Sequence, residues 1–399
     1  MASMAIAARD VAAPRADVRH RWKMSAEARY IVLISAVLLV FGLAVLYSAS
    51  AIVALNDGKS GAYFLLRQLI GAAIGVVAFM IAAKMDAERW REWAWPLMWC
   101  ALATLLLCLI LPNGIAPRIN GSKRFLFGTS VQPSELGKFA IVVWTAMLVS
   151  KKGDQLRRFT RGMLPFLVVL VAMCALAALE PDLSIGMLYT LLMAIVLFAG
   201  GVRLAHFFLV GALAIPVFFT EVQRAQYALL RLTSFLDPGR APASVSYQLR
   251  QSLVAVGSGG VLGVGFGEGR QQYGFLPYPY SDFIASNIGE EWGLVGLALL
   301  TLAFAAYALF GFRIARAARS TFLQLVAVGL TFTTVLTAYL HIGVVIGLLP
   351  TTGLTLPFVS YGRSNLVLTM FVTGVLVNIG STRERLLGVG ATNPFAGRR

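Results

Sequence analysis

Charged residues are scarce in this chain of 399 residues: Asp, Glu, Lys and Arg make up 13%, against 58% hydrophobic residues. A soluble domain carries about 25% charged and roughly 45–50% apolar residues. The chain therefore has too little polar surface to cover a body folded in water. This excludes an ordinary soluble enzyme or binding domain, and we predict a membrane protein.

Acidic residues, histidine and cysteine are also few. The chain has 18 acidic residues against 34 Lys and Arg, three histidines and three cysteines. Its cations lie in short clusters between apolar runs, which favours membrane orientation over nucleic-acid binding. The cysteines show no metal-ligand spacing, and an odd number cannot complete a disulfide framework. We expect inert cysteines, no nucleic-acid partner and no organic cofactor.

Long apolar runs fill most of the chain. A helix needs about 20 apolar residues to cross a bilayer, and these runs lack the alternation of a barrel strand. We predict an all-α polytopic membrane protein with about ten transmembrane helices. The predicted spans are 29–51, 64–83, 92–111, 132–150, 162–179, 183–201, 203–221, 285–312, 321–349 and 357–380.

Basic clusters precede the first span and follow every second span after it. Because such residues stay in the cytoplasm, both termini are predicted to be cytoplasmic. We predict a disordered basic tail at 1–28, a membrane domain at 29–380 and a cytoplasmic tail at 381–399. A large extracytoplasmic loop, 222–284, separates helices 7 and 8 and is too long for a plain connection.

Three cations oppose this orientation rule. Arg118, Lys123 and Arg124 lie in the outer loop between spans three and four. Arginine and lysine bind phosphate oxygens through charge-assisted hydrogen bonds. Lipid headgroups would satisfy the same charges, so a specific phosphate site and a headgroup contact both stay open.

Acidic residues lie at membrane depth in two places along the chain. Glu135 and Lys138 lie three residues apart in span four, where ionisable side chains normally face a cavity or a partner. A stabilising ion pair is the simpler interpretation, and catalysis is the alternative. Glu180 and Asp182 form a second acidic corner, for which we expect an arginine of an outer loop as partner.

Asp282 lies where the long loop meets span eight, among prolines and aromatic residues. A partly desolvated carboxylate there is a candidate general base, although local sequence alone favours an N-cap. The glycine run at 257–269 indicates tight turns and close backbone approach rather than a phosphate-binding loop.

A stretch rich in Pro, Gly and hydroxyl residues, 347–362, interrupts the apolar sequence near the last span. Broken helices at this depth line a cavity or are buried in protein. His341, deep in span nine, is expected to make a buried hydrogen bond rather than to bind metal.

Seven segments together resemble the SEDS (shape, elongation, division, sporulation) family, and the resemblance covers nearly all of 29–380. The turn at 347–357 is closer to the division members than to the elongation members. The segments are 121–124, 132–138, 180–183, 247–248, 276–283, 289–291 and 349–362.

The resemblance implies a peptidoglycan glycosyltransferase of the bacterial inner membrane that polymerises lipid II at the division septum. Its leaving group is undecaprenyl pyrophosphate. Its partners are a class B penicillin-binding transpeptidase (FtsI-like) and other divisome membrane proteins. The essential loop aspartate of the family aligns with Asp282, which favours the general base over the cap.

The same resemblance suggests secondary roles. Phosphate charge would be balanced by cations or by a divalent metal, Mg²⁺ or Mn²⁺. The candidate substrate-binding residues are Arg118, Lys123, Arg124, Glu135, Lys138, Glu180, Asp182, Arg231, Gln248 and Ser360.

Four positions depart from the family pattern: Tyr278 and Tyr280, Arg363 in place of a second Gly, and Asn365 in place of a common Ser. Three other functions remain open at this level, namely a lipid II flippase, an elongation-type polymerase and a non-catalytic scaffold. The outer loop that carries Asp282 favours chemistry at one face of the membrane.

Overall fold

The computed structural model describes residues 18–118, 122–128, 131–157, 159–208, 210–212, 235 and 243–387. Within these ranges the named α-helices are α1 Ala26–Asn56, α2 Tyr63–Lys84, α3 Arg89–Ile110, α4 Pro133–Lys152, α5 Leu164–Leu179, α6 Leu183–Ala199, α7 Ala243–Ser258, α8 Ile284–Glu291, α9 Gly293–Arg316, α10 Thr321–Val345 and α11 Arg363–Ile379. Two strands, β1 Val18–Met24 and β2 Ser381–Leu387, flank them.

The helices confirm the membrane class. In the described part of the chain, α1, α2, α3, α9 and α10 are long and apolar enough to cross a bilayer, and α5, α6 and α11 are shorter apolar helices. The first six predicted spans coincide with α1 to α6. The predicted span 203–221 lies largely outside the described residues, so the total of ten stays a prediction.

Helix α4 lies at the centre of the bundle, where it packs against α3, α6 and α10. It is buried on almost every side, unlike α2, which leaves many large apolar side chains exposed. Gly137 allows close packing, because a side chain there would collide with Tyr189 of α6. The Tyr189 hydroxyl donates to the Ser134 carbonyl at 3.0 Å. The polar start of α4 is therefore enclosed by protein.

The prediction of one span over 285–312 is wrong, because the helix ends at Glu291 and a new one begins at Gly293. Gly293 has φ +64°, a conformation that side chains disfavour. The glycine run packs against this break, and a side chain at Gly263 would collide with the Glu291 carbonyl. The amide of Leu294 donates to the Gly260 carbonyl at 2.9 Å. The predicted close approach of the glycine run is thus confirmed.

The broken stretch before the last span is also confirmed. Helix α10 ends at Val345 and α11 begins at Arg363, so both spans are shorter than predicted. The segment between them folds back against α10, where Nδ1 of His341 lies 2.7 Å from the Leu354 carbonyl oxygen. The expected buried hydrogen bond of His341 is therefore present.

The two ends of the described chain meet. Strand β1 pairs antiparallel with β2, with Val18 opposite Leu387 and Met24 opposite Ser381. The first and last helices therefore start and finish on the same side of the bundle. We call the opposite side the outer face. The boundaries of the predicted tails stay a prediction, since 1–17 and 388–399 lie outside the described residues.

Candidate functional site

A polar cavity opens near the start of α4, at the outer face of the bundle. Helices α4, α6, α10 and α11 surround it together with the segment between α10 and α11. Its charged lining comes from the predicted residues Arg124, Glu135, Lys138 and Asp182, which we call the cavity group. Its neutral lining includes Gln132, Thr337, Gly353, Thr355 and Asn365.

Two members of the cavity group form a buried ion pair. Nζ of Lys138 lies 2.7 Å from Oε2 of Glu135, and the two residues are 3% and 6% exposed. Because a buried charge is stable only when paired, the pair stabilises the start of α4. The predicted ion pair is confirmed. Both side chains also line the cavity, so this position suits contact with a substrate.

The acidic corner has the arginine partner expected from the sequence. Nη1 of Arg124 lies 3.7 Å from Oδ2 of Asp182, whose Oδ1 accepts from the Ile185 amide at 3.3 Å and caps α6. The pKa of the neighbouring Glu180 carboxyl is raised to about 8, chiefly by burial and next by the charge of Asp182, while Arg124 opposes the shift. Glu180 therefore retains its proton at neutral pH.

Asp282 lies at the edge of the cavity. A Cβ added to Gly353, which lines the cavity, would lie 3.7 Å from Oδ2 of Asp282. The N-cap of α8 is Phe283, so the interpretation of Asp282 as the cap is wrong. Asp282 is half-buried.

Ser360 holds the Asp282 segment in place. Its hydroxyl donates to the Ser281 carbonyl at 2.7 Å and accepts from the Leu356 amide at 2.8 Å. The Tyr361 amide donates to the Tyr280 carbonyl at 2.9 Å. Substrate contact by Ser360 stays a prediction, and the geometry supports a positioning role.

Gln68 of α2 is a site residue that the sequence did not reveal. Its Nε2 donates to the Ser360 carbonyl at 3.0 Å, and its Oε1 accepts from the Gly362 amide at 3.2 Å. The side chain is buried and holds the segment that positions Asp282. The available signal was an amide side chain within a predicted span, which has to find a hydrogen-bond partner.

Asn365 was noted from sequence only as a departure from the family pattern. Its Nδ2 donates to the Thr355 hydroxyl at 2.6 Å, and its Oδ1 accepts from Thr369 at 3.0 Å. It thus joins the wall of the cavity to α11.

The remaining predicted residues are more scattered. Nζ of Lys123 donates to the Leu111 carbonyl at 3.0 Å and fastens the loop to the end of α3. Arg118 is exposed, and Gln248 is half-buried on α7. Arg231 lies outside the described residues. Their contribution to substrate binding stays a prediction.

Aromatic side chains cover the outer end of α2 beside Asp282. Phe64 stacks on Tyr280 with ring centroids 4.4 Å apart, and Tyr361 meets both rings edge-on at 5.2 and 5.8 Å. The pKa of Tyr280 is raised to about 12, mainly by burial, so its hydroxyl stays neutral.

A divalent metal was one candidate for balancing phosphate. In the parts of the chain that the structure covers, no three His, Cys, Asp or Glu side chains gather as a metal-ligand group. Mg²⁺ is often held by one or two carboxylates together with substrate phosphates. A divalent ion at this site therefore stays a prediction.

Fold and site define a class: a polytopic membrane protein whose outer face carries a buried ion pair and a carboxylate at the edge of one cavity. A family model described as "Cell cycle protein", covering FtsW, RodA and SpoVE, matches residues 28–385. The chain belongs to this family.

Curated relatives agree over most of their length. A protein of Trichlorobacter lovleyi named "Probable peptidoglycan glycosyltransferase FtsW" is 38% identical over 86% of this chain and 90% of its own. Stage V sporulation protein E of Bacillus subtilis is 37% identical over 88% and 95%.

Solved structures show the same fold. A chain from a peptidoglycan synthase complex, described as coordinating polymerization and crosslinking, superposes with a TM-score of 0.73 at 25% identity, covering 88% of this chain and 96% of the other. A Thermus thermophilus RodA variant gives a TM-score of 0.65 at 24% identity, with coverage of 88% and 96%.

Proposed function

We propose that the protein is a peptidoglycan glycosyltransferase that polymerises lipid II, with Asp282 as its general base. The observation that carries this proposal is the position of the Asp282 carboxylate beside Gly353, at the edge of a cavity lined by Arg124 and Lys138. A base and two cations in one place suit transfer of a sugar from a pyrophosphate. The names of the curated relatives support this activity.

In the reaction, Asp282 accepts the proton of the sugar 4-hydroxyl of an incoming lipid II. That oxygen forms a bond to the anomeric carbon of the growing chain. The bond from this carbon to undecaprenyl pyrophosphate breaks, and the electron pair leaves with the phosphate oxygen. Attack from the opposite side inverts the anomeric centre. A separate acid is not required, because pyrophosphate leaves readily once its charge is balanced.

The cavity group supplies that balance. Nε of Arg124 is buried and makes no hydrogen bond to any described residue, so this donor is available to a phosphate oxygen. Lys138 adds a second positive charge, on a buried side chain that lines the cavity. Fixed charges in such surroundings stabilise developing negative charge more than they would in water. A Mg²⁺ or Mn²⁺ ion bound by the substrate pyrophosphate would add to this balance.

The proposal extends to the setting of the reaction. We place ten spans in the bacterial inner membrane, with both termini cytoplasmic and the cavity at the periplasmic face. A class B penicillin-binding transpeptidase is the proposed partner, supported by the similarity to a chain of a synthase complex. Curated relatives named FtsW favour synthesis at the septum. Because a solved RodA has the same fold, synthesis during cell elongation is the second candidate.

The experiment is lipid II polymerisation by the purified protein with its transpeptidase, with moenomycin added to suppress contaminating glycosyltransferases. Asp282→Asn should lower the rate at least about 100-fold, since general bases contribute roughly 10²–10⁴-fold. Asp57→Asn, at an exposed outer-face carboxylate, is the matched control and should polymerise normally. Equal rates for Asp282→Asn and the unsubstituted chain would refute the base. Lipid II movement across vesicles without strand formation would favour a flippase.

A further inference from the structure

Two further arginines lie beside the Asp282 segment, at the outer end of α2. The side chain of Arg363 crosses α2 at Gly71, where a Cβ would lie 3.0 Å from its Cγ. Arg67 lies four residues before Gly71, on the same face of α2 one turn farther out. Arg67 is exposed and Arg363 is half-buried, so both are accessible. We call Arg67 and Arg363 the rim group.

Aromatic rings connect the rim group to Asp282. Tyr280 precedes Asp282 by two residues and Tyr361 precedes Arg363 by two, and the two rings lie 5.8 Å apart. Phe64, three residues before Arg67, stacks on Tyr280 at 4.4 Å. Aromatic faces of this kind offer sugars an apolar surface. The rim group and its rings are separate from the lining of the cavity.

The charge of Arg67 differs from that of its neighbour Lys59. Lys59, at the same end of α2, is paired with Asp57 at 3.0 Å. Arg67 instead lies over the ring of Tyr63, 4.7 Å from its centroid, and has no acidic partner among the residues that the structure describes. A guanidinium in this state is well suited to bind phosphate in bidentate fashion.

A polymerase of lipid-linked sugars holds two pyrophosphates at once. The one that leaves gains negative charge as its bond breaks, so it requires the most enclosed cation, Lys138, together with Arg124. The pyrophosphate of the incoming lipid does not react and has only to be held. Partly exposed cations beside the base are sufficient for that purpose.

We propose that Arg67 and Arg363 bind the pyrophosphate of the incoming lipid II, with its sugars against Tyr280 and Tyr361. Asp282 then lies between two lipid-linked substrates, one in the cavity and one at the rim. This inference rests on the proposed function and deepens it by adding a separate acceptor site.

A binding experiment tests the site without turnover. The Asp282→Asn protein is placed in phosphatidylcholine nanodiscs with lipid II, and native mass spectrometry counts the lipids bound. We expect two lipid II molecules per chain, and one after Arg67→Gln and Arg363→Gln are added. Lys59→Gln, the matched control, should keep two. One lipid in the parent, or two in the arginine variant, would overturn the acceptor site.

An added excess of phosphatidylglycerol distinguishes the substrate from bulk anionic lipid. The second lipid II should stay bound, and its displacement would assign the rim to ordinary headgroups instead. Polymerisation by the unsubstituted chain is scored separately. Absence of strands would defeat the proposed function, whereas strands with a single bound lipid II would defeat the acceptor site alone.

Kinetics provide a second readout in the protein that retains Asp282. Arg363→Gln should raise the KM for lipid II about tenfold or more, as expected for loss of a charge-assisted contact, and change kcat less than about twofold. Arg363→Lys should restore part of the affinity. A fall in kcat at unchanged KM would contradict a holding role.

Discussion

Two cations beside Asp282, Lys138 of the cavity group and Arg67 of the rim group, differ in how their charge is compensated. In the cavity group, Lys138 and Arg124 each face a carboxylate of the protein, at 2.7 and 3.7 Å. In the rim group, Arg67 lies over an aromatic ring and is exposed. A buried charge has to be paired in the folded protein, whereas an exposed one is already solvated. The charge of Lys138 therefore stabilises the fold as well as the cavity, whereas the exposed charge of Arg67 is available for binding.

The strongest test of this difference is Lys138→Met, which leaves Glu135 buried without its partner. Removing one member of a buried pair typically costs about 3–5 kcal/mol. We expect that loss in the free energy of unfolding, measured by denaturation in detergent. Lys151→Met, at an exposed position of the same helix, should change it by less than about 0.5 kcal/mol. Equal stability of the two variants would break the distinction between the groups.

A second test concerns the neutral contact that links the two regions. Gln68→Leu leaves the Ser360 carbonyl and the Gly362 amide without their partner, and each orphaned group costs roughly 1–3 kcal/mol. We expect lower stability and slower polymerisation, because the Asp282 segment loses its support. Gln324→Leu, at an exposed position of α10, is the control for adding a leucine. Unchanged polymerisation by Gln68→Leu would show that this contact from α2 does not support the site.

Glu180 makes the cavity side sensitive to pH. Its folded pKa is about 8 against an ordinary 4.5, so the folded state binds the proton more tightly than the unfolded state. Stability should fall as pH rises through this window, by up to about 1.4 kcal/mol per pH unit. Glu180→Gln should remove this part of the slope, as measured by thermal unfolding from pH 5 to 9. An identical slope in the variant would show that Glu180 does not carry the raised pKa.

The smallest expected effect on stability belongs to the rim group. Arg67→Gln should change the free energy of unfolding by less than about 0.5 kcal/mol, because an exposed side chain without an ion pair loses little. The same variant should weaken lipid II binding. Loss of stability similar to that of Lys138→Met would show that the rim carries a structural charge.

The sequence predicts the helices well where the need to cross the lipid bilayer determines them. Apolar runs long enough to cross the bilayer have one way to satisfy their backbone, so α1 to α6 fall on predicted spans. The break at Gly293 could not be predicted, because Trp292 and Gly293 are compatible with a helix. Their conformation is set by the glycine run about 30 residues earlier, which only the folded chain brings close.

The charged part of the site was predictable for a related reason. An ion inside a span is costly, so Glu135 and Lys138 stand out from their surroundings, and the acidic corner calls for a cation. The choice of Arg124 among several arginines required the fold. The sequence did not identify Gln68 and Asn365 as site residues, because neutral polar side chains are tolerated in spans once they make a hydrogen bond.

The pairing of β1 with β2 has a consequence for biosynthesis. The strands lie at opposite ends of the described chain, so β1 emerges from the ribosome long before its partner exists. At about 5–20 residues per second, the interval is roughly 20–70 seconds. Throughout that time β1 lacks the strand with which it pairs in the folded protein. Pairing of β1 with β2 is therefore a late event, which follows synthesis of the last helix.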